Sequence, residues 1–180
     1  MTQNKVIISE PTSTLAFVDS ILSRNLQWIA AADSKVPPVL AIDTAMLGVL
    51  AANLPRGAWP TSTAVVVAIA TFLLLVSLLG LVVAKFPRLD GPKGSLIFFG
   101  GISSRNEDQY VQQLAAASLD DLLDDLSRQI HRNARIAQTK YGAIQASMIA
   151  LFIAIPIWLA AIALLYSGNG VAEAAIGAGF

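Results

Sequence analysis

The sequence predicts an all-α membrane protein: three transmembrane helices with amphipathic cytoplasmic helical stalks. Three observations predict it. Residues Gly57 to Ala84 form a run of 28 with no charge. A second charge-free run, Tyr141 to Ala172, has 32 residues. The charge that remains is concentrated, with 15 of the 24 charged residues in 85–140. An apolar run of that length is too long for an ordinary buried helix and matches the ~20 residues that span a bilayer.

Composition narrows the functions open to such a chain. Of 180 residues, 55% are hydrophobic and 13% are charged, where a soluble domain has about 25% charged. Net charge is zero, which gives no argument for nucleic acid or for an acidic substrate. There are no cysteines, which excludes disulfides, thiolate metal sites and cysteine nucleophiles. The single histidine, His131, cannot build a histidine metal site alone. The start, MTQNKVIISEPTSTLAF, lacks a basic region followed by an apolar core, so no cleavage is expected.

Residues 1–35 are expected to be a cytoplasmic amphipathic helix, with Leu15, Phe17, Val18, Ile21, Leu22, Leu26, Trp28 and Ile29 on its apolar side. The first span is 36–54. Pro37 and Pro38 suit a first helical turn, where missing amides cost least. This span contains Asp43, and a carboxylate at a helix centre costs about 2.5–3.5 kcal/mol on insertion scales. The second span is 62–84. The third, 142–166, contains Pro156, which membrane helices tolerate. Trp158 and Tyr166 are candidates for the outer interface, Tyr166 the better one. Residues 167–180 form a short periplasmic tail.

Lys and Arg counts set the direction. Lys5, Arg24 and Lys35 precede the first span, and only Arg56 lies between the first two. Eight bases, Lys85, Arg88, Lys93, Arg105, Arg128, Arg132, Arg135 and Lys140, lie in 85–140, and none follows Tyr166. Positive charge stays inside. The N-terminus and 85–140 are therefore cytoplasmic and the C-terminus periplasmic.

The 85–140 island opens with the turn cluster FPRLDGPKGS. LIFF follows, as a short strand or a piece lying on the membrane. Asn106 to Lys140 reads as helical, with Leu119, Leu122, Leu123, Leu126, Ile130 and Ala137 at helical spacing. Ser118 and Asp121 resemble a capping box, with acids early and bases late. A helix from Leu119 to Tyr166 would be about 72 Å long, nearly half of it a stalk outside the bilayer.

Several residues are candidates for function. Asp43 reads as a pore-lining or inter-subunit carboxylate, or as an acid near one end paired with a neighbouring chain or with Thr44. Arg128, Arg132 and Arg135 lie at i, i+4, i+7, and their planar donors suit a phosphate. Arg105 with Ser103 and Ser104 after a Gly-Gly suits an anion-holding loop. Tyr110 and Tyr141 can stack on a flat ring. The plainer reading of the arginines is a solvated face that enforces orientation, and of the tyrosines, packing. Asp120, Asp121, Asp124 and Asp125 read as helix-start acids rather than a metal patch, so no metal is expected. Ala41, Ala45, Gly48 and Ala52, and separately Ala150 and Ala154, are small-residue stripes that let helices approach closely, between chains or within one.

These pieces resemble one bacterial family. WIAAADSK leads into a span with MLGVL, and IFFGGISS follows the second span. Tyr110, QIHRNARIAQTKYG and the third apolar span complete the pattern. The order is similar to the Pycsar anti-phage membrane effectors, the PycTM family, over roughly residues 20 to 166. Two features depart from the family's habit. Asp43 and Thr44 stand where a neutral polar residue and Gly are common, and Gly101 stands where a His is frequent.

The resemblance implies a partner cyclase that makes cyclic UMP or cyclic CMP during infection. The effector responds, inner-membrane integrity is lost, and infection aborts. The implied ligand is the cyclic nucleotide, with no other cofactor and no nucleic acid. Membrane lipid and further copies of the chain, as a homo-oligomer, are the expected partners. The alternative is a structural or accessory inner-membrane subunit with no ligand sensing. An enzyme is not expected, since no nucleophile–base pair, phosphate loop or metal-ligand set is present.

Overall fold

A computed structural model describes the backbone of residues 11–55, 57–89 and 91–177, and side chains between 13 and 167 within those ranges. Lys5, Arg56 and the last three residues, used above for charge and tail, lie outside the described residues. Among the described residues six helices follow in order: α1 (Pro11–Asp33), α2 (Val36–Ala52), α3 (Thr61–Lys85), α4 (Phe99–Ser103), α5 (Glu107–Ala116) and α6 (Leu119–Gly177). No strand occurs among the described residues. Among the described residues three helical stretches are long and apolar enough to cross a membrane: Ser13–Ala52, Thr61–Lys85 and Leu119–Ser167. The protein is an all-α, multi-pass membrane protein.

The chain divides into two units, 33–86 with 140–180 and 1–32 with 87–139. The first of these is apolar and contains α2, α3 and the second half of α6. Pro37 and Pro38 open α2, because proline's fixed φ suits a first turn and its missing amide has no helical partner there. Asn53 closes α2, its side-chain amide donating to Val49 O at 2.8 Å. Lys85 in the last turn of α3 is a cation at the negative end of the helix dipole. Pro156 sits inside α6 without ending it.

Covered residues in this unit recur every three and four positions. On α2 they are Val36, Val39, Asp43, Met46 and Leu50. On α3 they are Thr63, Val67, Ala70, Leu74, Ser77, Leu81 and Ala84. On α6 the series includes Lys140, Ile144, Ser147, Leu151, Ala154, Ala161 and Leu165. A repeat of 3.5 keeps one face toward a partner along a left-handed crossing. The inward residues are small or polar in several places, whereas Phe72, Leu79, Val82, Phe152 and Leu159 point outward. Lipid explains that inversion, since outward apolar groups lose nothing there and small inward residues let helices pack closely. A side-chain carbon on Gly80 of α3 would collide with Ser147 Oγ of α6, so glycine permits the approach. Trp158 turns inward and donates its Nε1–H to Met46 O at 2.9 Å. It is a packing residue, and Tyr166 is the exposed aromatic.

The small stripes part company in this unit. Ala150 and Ala154 are covered, while Ala41, Ala45, Gly48 and Ala52 face outward. Intramolecular packing therefore accounts for the α6 stripe and leaves the α2 stripe open. At the edge of the unit, Lys140 donates to Asp33 at 2.6 Å, and Lys35 Nζ lies 4.8 Å from the centre of the Tyr141 ring.

The second unit is the polar one. Leu22 and Ala32 of α1 are buried, but Phe17, Leu26 and Trp28 are more than half exposed or nearly so. The apolar side expected for α1 is thus narrower than its composition, because those three residues fall outside the 3.5 repeat. As the Ser118 capping pattern predicts, a new helix starts at Leu119: the helical stretch 106–140 is α5 and the beginning of α6, separated at Ala117 and Ser118. Ser118 makes the capping box: its Oγ accepts from Asp121 N at 3.2 Å, and Asp121 Oδ2 accepts from Ser118 N at 3.0 Å. Reciprocal capping stops continuation of α5 into α6. LIFF is not a strand: Leu96–Phe98 bend, and Phe99 begins α4. Ser95 Oγ accepts from Ile97 N and Phe98 N at 3.1 and 2.8 Å, which uses the amides a strand would need for pairing.

Candidate functional site

A cleft of about 930 Å³ opens in the polar unit between the 91–96 loop and the first turns of α6. Gly91, Pro92, Lys93, Gly94, Ser95 and Leu96 form one wall. Asp121, Asp124, Asp125, Ser127, Arg128, His131 and Arg132 form the other. The loop turns at Gly94, whose φ of 77° suits a residue without Cβ. Its place against α6 is fixed by Asp125 Oδ2, which accepts from Leu96 N at 2.7 Å.

The helical wall follows from spacing. Asp121, Asp124, Asp125, Arg128 and Arg132 fall on one side of α6 because residues three and four apart share a face. Arg128 Nε donates to Asp124 Oδ2 at 2.7 Å, with both side chains about two-thirds exposed. That bond, with the charge of Asp124 and then Asp125, raises the Arg128 guanidinium further above neutrality. Asp121 is held below the ordinary aspartate range, by the Ser118 hydroxyl first and the Ser118 amide second. The cleft is of mixed charge: three acids face Lys93, Arg128, Arg132 and His131. Its dimensions exceed those of a mononucleotide.

The structure sorts the residues singled out in the sequence. Arg128 and Arg132 line the cleft, and Arg135, one turn further on, is exposed and outside it. Arg105 is elsewhere in the same unit and serves the loop. Its Nε donates to Gln113 Oε1 at 2.7 Å, its Nη1 to Ser95 O at 2.9 Å and to Gly101 O, and its Nη2 to Gly94 O at 2.6 Å. Four donations to its own chain leave little of the guanidinium for an anion. Ser103 donates to Gly100 O at 3.4 Å and Ser104 to Gly101 O at 2.9 Å, both within one helical turn. Tyr110 donates its hydroxyl to Leu96 O at 3.1 Å. These residues shape the back of the loop and do not line the cleft. Lys93 and His131 were not singled out by pattern; no spacing rule joins a turn lysine to a histidine 38 positions later. The signal was only the PKG turn, which fixes a loop without saying what it faces.

Asp43 lies in the apolar unit, fully buried at 0% exposure. Its Oδ2 accepts from Ser77 Oγ of α3 at 2.7 Å, and its Oδ1 has no partner. Thr44, offered as an intrachain partner, instead donates to Leu40 O and Ala41 O of its own helix. The acid therefore faces the interior of one chain in this arrangement. Among the described residues no cluster of His, Cys, Asp and Glu has the arrangement of a metal site.

No curated protein and no solved structure matches the chain. A family model does: the Pycsar effector protein domain, PycTM, matches residues 17–167. The match spans the apolar helices, the loop and the cleft, and the chain belongs to the PycTM family of membrane effectors in Pycsar anti-phage defence.

Proposed function

We propose that this effector is activated by a cyclic pyrimidine mononucleotide, cyclic UMP or cyclic CMP, supplied by a partner cyclase. The observation that carries the reading is the cleft: Lys93, Arg128, His131 and Arg132 converge on one opening. A cyclic phosphodiester carries one negative charge, and guanidinium groups match its oxygens. The rest of the opening has room for a sugar and a pyrimidine. Binding takes Arg128 from Asp124, an exposed pair worth only ~0–1 kcal/mol. α6 carries both the cleft residues 121–132 and an apolar run beyond 141. A ligand held on that helix biases the membrane part only if it binds the active arrangement more tightly.

In this reading the polar unit is cytoplasmic, the spans lie in the bacterial inner membrane, and several chains assemble through faces such as the open α2 stripe. Activation impairs membrane integrity and aborts infection. The protein acts through the membrane rather than by catalysis. One observation favours the accessory-subunit alternative: Asp124 already neutralises Arg128.

The test is thermal stability of the detergent-solubilised protein with saturating cyclic UMP, cyclic CMP or cyclic AMP. One pyrimidine nucleotide should raise the transition by several degrees, and Arg132→Ala should abolish the shift. Absence of a shift with either pyrimidine nucleotide refutes direct sensing. Co-expression with an active pyrimidine cyclase should depolarise cells, and with an inactive cyclase should not.

A further inference from the structure

The apolar unit hides an unusual amount of polarity. Asp43, Thr63, Ser77 and Ser147 are all buried on its inward faces, while its outward faces carry Phe72, Leu79, Val82, Phe152 and Leu159. Ser147 satisfies itself by donating to Ala143 O at 3.0 Å. Asp43 does not: one oxygen takes the Ser77 hydroxyl at 2.7 Å and the other is sealed without a partner. Within residues 36–52 of α2, 61–84 of α3 and 142–165 of α6, Asp43 is the one charged residue, so no cation on these segments compensates the acid. A carboxylate buried this way raises the free energy of the packed arrangement, and water would lower it.

We propose that the inward polar face headed by Asp43 becomes the wall of the aqueous path through which the activated effector depolarises the membrane, and that the path favours monovalent cations. In the packed arrangement the acid is out of reach of water. When α2 and α3 part, Asp43 gains hydration, Ser77 and Ser147 add hydroxyls, and the spans keep their apolar outward faces in lipid. A lining carboxylate draws cations and repels anions. Ser77 holds the closed arrangement by supplying the one bond the acid has there. Asp43 favours opening and Ser77 opposes it, so two residues joined by one hydrogen bond have opposite effects. The inference rests on the activation reading for its trigger but not for its wall.

The experiment uses the full chain in liposomes of phosphatidylethanolamine and phosphatidylglycerol, reading potassium and chloride efflux with and without cyclic UMP or cyclic CMP. Wild-type protein should pass potassium in preference to chloride. Asp43→Asn should remove that preference. Asp43→Leu should suppress the leak while keeping the nucleotide-induced thermal shift. Ser77→Ala should leak without nucleotide, roughly tenfold above wild type, as expected for losing one hydrogen bond to a carboxylate. Ser77→Ala combined with Asp43→Leu should be silent again. Leak from both Asp43→Leu and Ser77→Ala would make the pair a simple lock and overturn the proposal. So would a potassium-to-chloride ratio indifferent to residue 43. The Ser77→Ala arm needs no ligand, so nucleotide-insensitive wild-type protein would count against activation alone.

Discussion

Arg105 and Arg128 look interchangeable as charges, and their surroundings separate them. Arg105 is a brace: its guanidinium ties Gly94, Ser95, Gly101 and Gln113 together. Arg128 is an exposed cation with one exposed partner. Arg105→Ala should therefore destabilise the 91–105 loop by about 2 kcal/mol, the scale of lost hydrogen bonds to a charged group. Arg105→Lys should not rescue it, because an ammonium cannot reproduce the planar fork. Amide hydrogen exchange across 94–101 is the measurement, and unchanged protection there would refute the brace. At the same scale, the glycine–serine contact between Gly80 and Ser147 sets how closely α3 and α6 approach, without either residue being apolar enough to attract notice in a hydropathy profile.

At the scale of elements, the beginning of α6 is a junction sensitive to acid. Asp121 is held below the ordinary aspartate range by Ser118. The stabilisation is therefore present above the unfolded value of about 4 and is lost as pH falls through the lowered folded value. Backbone amides of Ser118 to Leu122 should fray on acidification below that value, followed by NMR or hydrogen exchange. Asp121→Asn should remove most of that acid dependence, and a fraying profile identical in the variant would refute it. The same capping pair explains why α5 and α6 are separate helices although their composition is continuous. Helical periodicity in 106–140 is readable from the leucines and the start at Leu119 from the Ser118–Asp121 capping pattern, while the end of α5 at Ala116 has no such local signal.

For the whole molecule, the placement of the bases predicts a direction across the bilayer. With Lys85 through Lys140 supplying eight of the twelve bases, a reporter fused after Gly170 should be active only outside the cytoplasm. A cytoplasmic readout would refute three spans in this orientation. The number of spans and the all-helical class were legible because long apolar runs admit few alternatives: in lipid every backbone amide must be satisfied within its own segment. The start of α6 and the proline-led start of α2 were legible because caps are local. The cleft was not, because it joins a turn at 91–96 to a helix some thirty residues on, and only packing brings them together. Nor was the sorting of Phe17, Leu26 and Trp28 away from the covered face of α1. The sequence by itself determined that the chain is helical, crosses the membrane and concentrates its charge between the second and third spans, since those follow from the solvent each segment requires. Tertiary structure alone decided that Arg105 braces a loop, that Lys93 and His131 share a cleft with Arg128, and that Asp43 turns inward to Ser77. Those outcomes depend on which faces meet, and a side chain's partner is set by three-dimensional register rather than by its own chemistry.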